Sequence, residues 1–221
     1  MDKIIQAFQD DGAEWLYPIV FFLVAGLAIA FERIYFVAVR SNINGVALMS
    51  IVKNAIMNQK YVEAIKTCNA EEQKGKVLPK VLKAGLQKAE TGSPEEIKAA
   101  MEQATLEVYP TLSKRALFLP VIANLATLAG LLGTIVGLID SFAALADAPA
   151  DQKQEMLARG IATAMNTTAG GLICAIPILL LNAFVQFFTN KIMDEVDQYS
   201  AQCLNLIVAQ KKSGSGAGLS K

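Results

Sequence analysis

Residues Gly160–Asn190 read GIATAMNTTAGGLICAIPILLLNAFVQFFTN, 31 residues without a single charge. About 20 apolar residues are enough for a helix to cross the hydrocarbon core of a bilayer, so this stretch marks a membrane-spanning protein. A second uncharged run, Ala116–Ile139, has 24 residues, and a third, Leu16–Phe31, has 16. After Glu32 and Arg33 the apolar pattern resumes as Ile34–Val39, so the first span crosses with this charged pair at its inner end, where long side chains can snorkel. Trp15 and Tyr17 at one end and Tyr35 and Phe36 at the other supply the aromatic belts of the two interfaces. A cleaved signal peptide is the rival for this segment. It fails because the first ten residues carry acids rather than a basic region, and no small-residue cleavage site follows.

Composition agrees with the runs. Of 221 residues, 53% are hydrophobic and only 18% charged, which is apolar for a soluble domain of this size. Lys+Arg and Asp+Glu are both 20, so no basic field attracts nucleic acid. Histidine is absent, which removes imidazole acid–base chemistry and the metal sites that need it. No metal site, cofactor or enzymatic activity is expected.

Basic residues set the expected orientation. Twelve of the 20 lie between Arg40 and Arg115 and four follow the last span, against Lys153 and Arg159 between spans two and three. By the positive-inside bias the basic segments are cytoplasmic. The expected layout is a periplasmic N-terminal segment 1–14, spans 15–39, 116–146 and 160–190, a cytoplasmic helical domain 40–115, a periplasmic loop 147–159, a cytoplasmic helix 191–212 and a flexible Gly/Ser tail 213–221. In fold class this is an all-α membrane protein whose long helices extend into a cytoplasmic helical domain. Cys68 and Cys203 then lie in a reducing compartment and Cys174 within span three, so three free thiols are expected. Ser93-Pro94-Glu95-Glu96 has the order of a capping box with proline at the first helical position. A helical stretch over Val46–Ala70 should break near Asn58-Gln59. Ile192, Val196, Tyr199, Cys203 and Leu206 form a narrow apolar stripe, suited either to the chain's own helices or to another subunit.

The spans are not uniformly apolar. Thr127, Thr134 and Ser141 are seven residues apart with Asn124 three before the first, one polar stripe on one helix face. Span three carries Thr163, Asn166, Thr167 and Thr168 in its outer half, then Gly170-Gly171. Singly, each is ordinary glue between membrane helices. Counted inward from Phe142 and Gly160, however, Thr134 and Thr168 are each eight residues deep, about 12 Å at ~1.5 Å per residue. The two hydroxyls share a level that can line a polar path. Neither uncharged run holds a group that titrates in the way a proton relay needs. Either the chain conducts nothing or another chain supplies a carboxyl. Asp140, at the outer end of span two, is a candidate for the mouth of such a path, or simply a solvated helix end. Gly130, Gly133 and Gly137 permit close helix packing.

Here the sequence resembles a known family. GLLGTIVGLIDSF (Gly130–Phe142) followed by TAMNTTAGGLICAIP (Thr163–Pro177) looks like the paired signatures of the MotA/TolQ/ExbB proton-channel family, most like its ExbB/TolQ branch. The resemblance implies a bacterial inner-membrane subunit, usually a homopentamer, around the single transmembrane helices of two copies of an ExbD/TolR-like partner that brings an aspartate. Thr134, Thr168 and Pro177 correspond to the family's two threonines and its proline. Family members often carry a glutamate five residues before the second threonine, where this chain has Thr163. The implied mechanism is a ring of threonines whose hydroxyls, with trapped water, solvate the charged partner aspartate. Protonation then changes which surface the partner helix prefers.

Two functions remain open on the sequence: an ion-driven motor or energy-transducing channel subunit, and a non-conducting oligomeric scaffold for a single-span partner. The transported ion is expected to be H⁺, with Na⁺ open because Thr163, Asn166 and Thr167 add oxygens.

Overall fold

A computed structural model describes residues 16–40, 44–70, 76–146 and 148–216. Among them every regular element is helical: α1 Leu16–Tyr35, running on as five π-helical residues Phe36–Arg40, α2 Gly45–Met57, α3 Tyr61–Cys68, α4 Val77–Lys88, α5 Pro94–Ser113, α6 Phe118–Ala146 and α7 Lys153–Gly216. Three helical stretches are long and apolar enough to cross a membrane, contained in Leu16–Ala38, Pro94–Ala146 and Lys153–Lys212. The chain divides into two units, one comprising the chain up to Arg33 with Arg115–Val185, the other Ile34–Lys114 with the chain from Gln186.

In the first unit α6 and α7 run antiparallel with almost no side chain between their backbones at one point. A methyl group on Gly130 would stand 2.8 Å from the Thr167 carbonyl oxygen, and one on Gly171 would stand 2.8 Å from that of Ala126. Glycine is required at both because the obstacle is backbone, which cannot rotate away. α1 packs on the same pair: Gly26 faces Ile178 and Ile122, Gly170 faces Leu16, and the Cys174 thiol lies 3.5 Å from the Ile19 carbonyl oxygen. Where α5 gives way to α6, Arg115 takes a left-handed backbone (φ 68°) and its guanidinium donates to Glu32 at 2.6 Å. Both side chains are about half exposed, so the pair orients the turn more than it stabilises it, at ~1 kcal/mol or less. Arg33 does not snorkel into water: its side chain is 8% exposed and lies 3.6 Å from Glu32.

In the second unit α2–α5 bury an apolar core, including Val52, Ile56, Val81, Leu82, Leu86, Ile97 and Leu112, against Ile192, Val196, Cys203 and Ile207 of α7. The apolar stripe of α7 therefore covers its own unit's helices, with Ile207 rather than Leu206 fully buried. Gly45 lies against the Tyr199 ring, Gln210 donates to the Met57 carbonyl at 3.3 Å, and Lys211 to that of Gly92 at 2.6 Å. The capping box at Ser93 is closed in both directions, Glu96 N to Ser93 Oγ at 3.2 Å and Ser93 N to Glu96 Oε2 at 2.8 Å. α2 ends at Met57, and Gln59 turns the chain with φ 57°.

Three expected boundaries move. The loop 147–159 is shorter, because α7 begins at Lys153 with Glu155 in its first turn. A change from charged to uncharged residues marks a bilayer surface, whereas helices end where hydrogen bonding ends, and Gln, Glu, Met, Leu and Ala all favour the helix. For the same reason 191–212 is no separate helix but part of α7. The expected flexible tail begins as helix through Gly216, since extending an existing helix avoids the nucleation cost even across Ser and Gly. The rest of that tail and the segment 1–14 lie outside the described residues.

Two outcomes follow. Gly130→Ala and Gly171→Ala should each cost about 1–3 kcal/mol through overpacking against backbone, lowering the thermal midpoint in detergent. Gly137→Ala, whose methyl meets Ala164 Cβ at 3.4 Å, should leave it unchanged or slightly raised. Burial pushes the Cys68 thiol up from 9.0 to about 11 and the Cys203 thiol to about 12. At pH 8 both should resist maleimide in the folded protein and label promptly in denaturant. The unfolded chain loses these protons first, so stability should fall as pH rises from about 9 towards 11.

Candidate functional site

The hydroxyl residues of α6 share one edge of the helix because seven residues are nearly two turns. Each bonds back along its own helix: Thr127 to the Ala123 carbonyl at 3.1 Å, Thr134 to Gly130 at 3.1 Å and Leu131 at 2.8 Å, Ser141 to Gly137 at 2.5 Å. This is how membrane helices satisfy hydroxyls without water. At Thr134 the pattern extends to α7. Its Oγ1 is 2.6 Å from Thr168 Oγ1, and the Gly130 carbonyl oxygen also lies 3.2 Å from the hydroxyl oxygens of Thr167 and Thr168. Thr167 Oγ1 is 2.7 Å from the Ala164 carbonyl oxygen. The equal depth of Thr134 and Thr168 is thus direct contact, made possible by the bare backbones of Gly130 and Gly171.

The other candidates are not gathered there. Thr167 is 3% exposed, seated in the α6–α7 seam rather than on an open surface. Asn166 is two residues before Thr168, about 200° away around the helix, and Thr163 is five before, about 140° away. Asn166 is exposed and Thr163 half-buried, and neither shares the side of Thr168. Asn124, Asp140 and Pro177 are exposed and Thr127 is half-buried. α7 passes Pro177 without interruption. Gly137 meets Ala164 and Gly170 meets Leu16, both packing positions, while Gly133 is buried but has no neighbouring-helix atom, among the described residues, within 4 Å of where a Cβ would stand.

One buried polar group in this unit is not singled out from sequence, Asn182, 7% exposed, whose Oδ1 accepts no hydrogen bond from any described residue, whereas Arg33, expected to snorkel, is instead buried at 6% exposed. Asn182 lies four residues after Ile178 and eight after Cys174, on the face those residues bury. That spacing is the signal the sequence offers, and it gives the shared face without saying which face is covered. No group of three His, Cys, Asp or Glu among the described residues could hold a metal ion. Chemically, the site is a compact set of neutral hydrogen-bonding groups that can meet a polar or titrating group brought by another chain.

Comparison with known proteins reaches the same spans. Residues 73–200 match the MotA/TolQ/ExbB proton channel family. An ExbB homologue of Methanothermobacter thermautotrophicus, named as a biopolymer transport protein, is 24% identical over 88% of this chain and 66% of its own length. An ExbB-like protein of Synechocystis is 28% identical over 81% of this chain and 69% of its length. The biopolymer transport protein exbB1 of Vibrio cholerae is 33% identical over 36% of this chain and 35% of its length. Since the family match covers more than half of the sequence and takes in both signature runs with the hydroxyl contact between them, the chain belongs to the MotA/TolQ/ExbB proton channel family.

Proposed function

We propose that this protein is an ExbB/TolQ-like subunit of an ion-driven energy transducer in the cytoplasmic membrane, with its N-terminus outside and C-terminus inside. Five copies form a ring around the transmembrane helices of a partner dimer of the ExbD/TolR kind, and each partner helix carries an aspartate. The observation that carries this reading is the Thr134–Thr168 hydroxyl contact at 2.6 Å, inside spans that lack any carboxyl, Lys or Arg of their own at that depth. A polar point so placed is idle in a lone chain and useful to a titrating group from another. Exposed Asn124 and Asn166 likewise want neighbours: each interhelical hydrogen bond forgone in lipid costs ~1–2 kcal/mol.

The ion is H⁺. A Na⁺ site needs several oxygens turned toward one point. Within one chain Thr163 and Asn166 lie on other sides of α7 from Thr168, and the oxygens that do converge stand 2.6–3.2 Å apart at hydrogen-bond spacing, which supports a proton rather than Na⁺.

Native mass measurement in mild detergent should give a five-fold ring carrying a single-span partner; a stable monomer overturns the proposal. Thr134→Val and Thr168→Val keep volume and remove a hydroxyl. In liposomes holding the complete complex each should cut proton flux at least about tenfold, the equivalent of ~1.4 kcal/mol, while gel filtration shows the ring intact. Parental flux in both variants leaves only a scaffold. For orientation, an exposed cysteine at Lys98→Cys should react with an impermeant maleimide only after the membrane is opened, whereas one at Asp151→Cys should react in intact spheroplasts.

A further inference from the structure

We propose that the Thr134–Thr168 pair meets its partner carboxyl as a hydrogen-bond acceptor, and therefore selects the protonated, neutral form of that carboxyl. This rests on the reading of function above and fixes the sign of the interaction, which a solvating ring of hydroxyls leaves opposite.

The argument is a count of hydrogens and lone pairs. Three hydroxyls meet at this level, those of Thr134, Thr167 and Thr168, and each brings one hydrogen. A carbonyl oxygen has two lone pairs, and that of Gly130 already accepts the helical N–H of Thr134. One vacancy remains on it, within 3.1–3.2 Å of all three hydroxyl oxygens. Two further acceptors serve one hydroxyl each: the Leu131 carbonyl for Thr134 at 2.8 Å and the Ala164 carbonyl for Thr167 at 2.7 Å. At 2.6 Å, one of Thr134 and Thr168 must donate to the other.

Only two proton orders satisfy these constraints. In one, Thr168 donates to Thr134, which donates to the Leu131 or Gly130 carbonyl, and the lone pairs of Thr168 stay open. In the other, Thr134 donates to Thr168, which donates to the Gly130 carbonyl, and the lone pairs of Thr134 stay open. Thr167, in the seam, donates to Ala164 whenever Thr134 or Thr168 holds the Gly130 vacancy, and to Ala164 or Gly130 otherwise. Every hydroxyl hydrogen is spent within the chain in both orders, and what remains open on half-buried Thr134 and Thr168 is an oxygen lone pair. A carboxylate has only acceptors to offer and finds no donor here unless an internal hydrogen bond breaks. A carboxylic acid, or a water carrying the proton, has the hydrogen that fits.

No charge in the chain opposes this. α6 from Phe118 to Ile139, α7 from Gly160 to Asn190 and α1 from Leu16 to Phe31 carry no Asp, Glu, Lys or Arg. The ionisable groups nearest in sequence are Asp140 in the outer turns of α6, Arg159 just before Gly160 and Lys191 just after Asn190 in α7, Arg115 before α6, and Glu32 and Arg33 in the last turn of α1, with the Cys174 thiol turned to the Ile19 carbonyl. Thr167 becomes a positioning residue, since its hydroxyl fills or frees the Gly130 vacancy without touching the partner.

The test uses the complete complex in liposomes. Dicyclohexylcarbodiimide modifies carboxyls in their protonated form, so the pH at which half of the partner's transmembrane carboxyl is labelled, read by mass spectrometry, follows its protonation. Losing one acceptor should move that pH down by about half a unit to one unit in Thr168→Val, and likewise in Thr134→Val. Thr168→Ser, which keeps the oxygen, should return it to the parental value. A shift upward in both valine variants means the hydroxyls donate to the carboxylate and overturns the inference, and so does no shift. If no single-span partner is held at all, the reading of function fails with it. A bound, labelled partner with the wrong shift sinks the sign alone.

Discussion

The rest of the membrane-spanning unit depends on two missing side chains. Because Gly130 and Gly171 carry none, α6 and α7 approach until a methyl on either would sit 2.8 Å from a carbonyl oxygen of the other helix. That approach places the Gly130 carbonyl within reach of hydroxyls from α7, and without it Thr134 and Thr168 would each bond only along its own helix. Packing and polarity are therefore one feature. Hydrophobic driving force between helices vanishes in lipid, so close backbone contact and a few interhelical hydrogen bonds are what hold the pair. The same few bonds make its polar point.

What surrounds that point is suited to lipid or to other chains rather than to water. Leu128, Ile135 and Ile139 of α6 and Met165, Ile173 and Leu180 of α7 are all at least half exposed. In water such a surface would aggregate; in a bilayer it costs nothing. In the second unit the burial is conventional, with aliphatic side chains of α2–α5 closed over by α7, and its thiols lie deep enough to be inert.

The fold was largely legible because bilayer thickness is a hard ruler. A run of 31 uncharged residues in Gly160–Asn190 permits few other interpretations, and the capping box at Ser93 specifies a helix start through two local hydrogen bonds. Helix ends were less legible, since charge marks where lipid stops and not where the α7 ladder stops. At the site, depth along the axis can be counted from sequence and direction around the axis can be reckoned at about 100° per residue. The sequence groups Thr163, Asn166, Thr167 and Thr168 only as polar residues in the outer half of span three. Turning the helix separates them, leaving Thr168 with Thr134, Thr167 in the seam and Asn166 on the far side. Asn182 and the burial of Arg33 were less legible for a different reason: spacing can put Asn182 on one face with Ile178 and Cys174, but burial depends on where α1 packs, and nothing in the 16–33 or 174–185 stretches states which face is covered before the helices are assembled.

A chain whose spans carry no charge at the depth of their hydroxyl pair can still govern a proton's energetics, provided it treats the two charge states of someone else's carboxyl differently. A ligand shifts an equilibrium only by its differential affinity for the two states, and one pKa unit corresponds to 1.36 kcal/mol. An acceptor-only hydroxyl pair supplies such a difference with no charge of its own. Repeated around a ring, it would make a set of equal resting places for the neutral acid, separated by apolar helix surface on which the acid is also tolerated and the anion is not. Loss of the proton then ends the affinity for the resting place, and the partner must move or recapture a proton. On this reading neutrality of the spans is a requirement: a lysine or arginine beside Thr134 would hold the anion, and an aspartate there would compete for the proton. Neither occurs in Phe118–Ile139 or in Gly160–Asn190, so under the proposed mechanism two hydroxyls would decide the outcome.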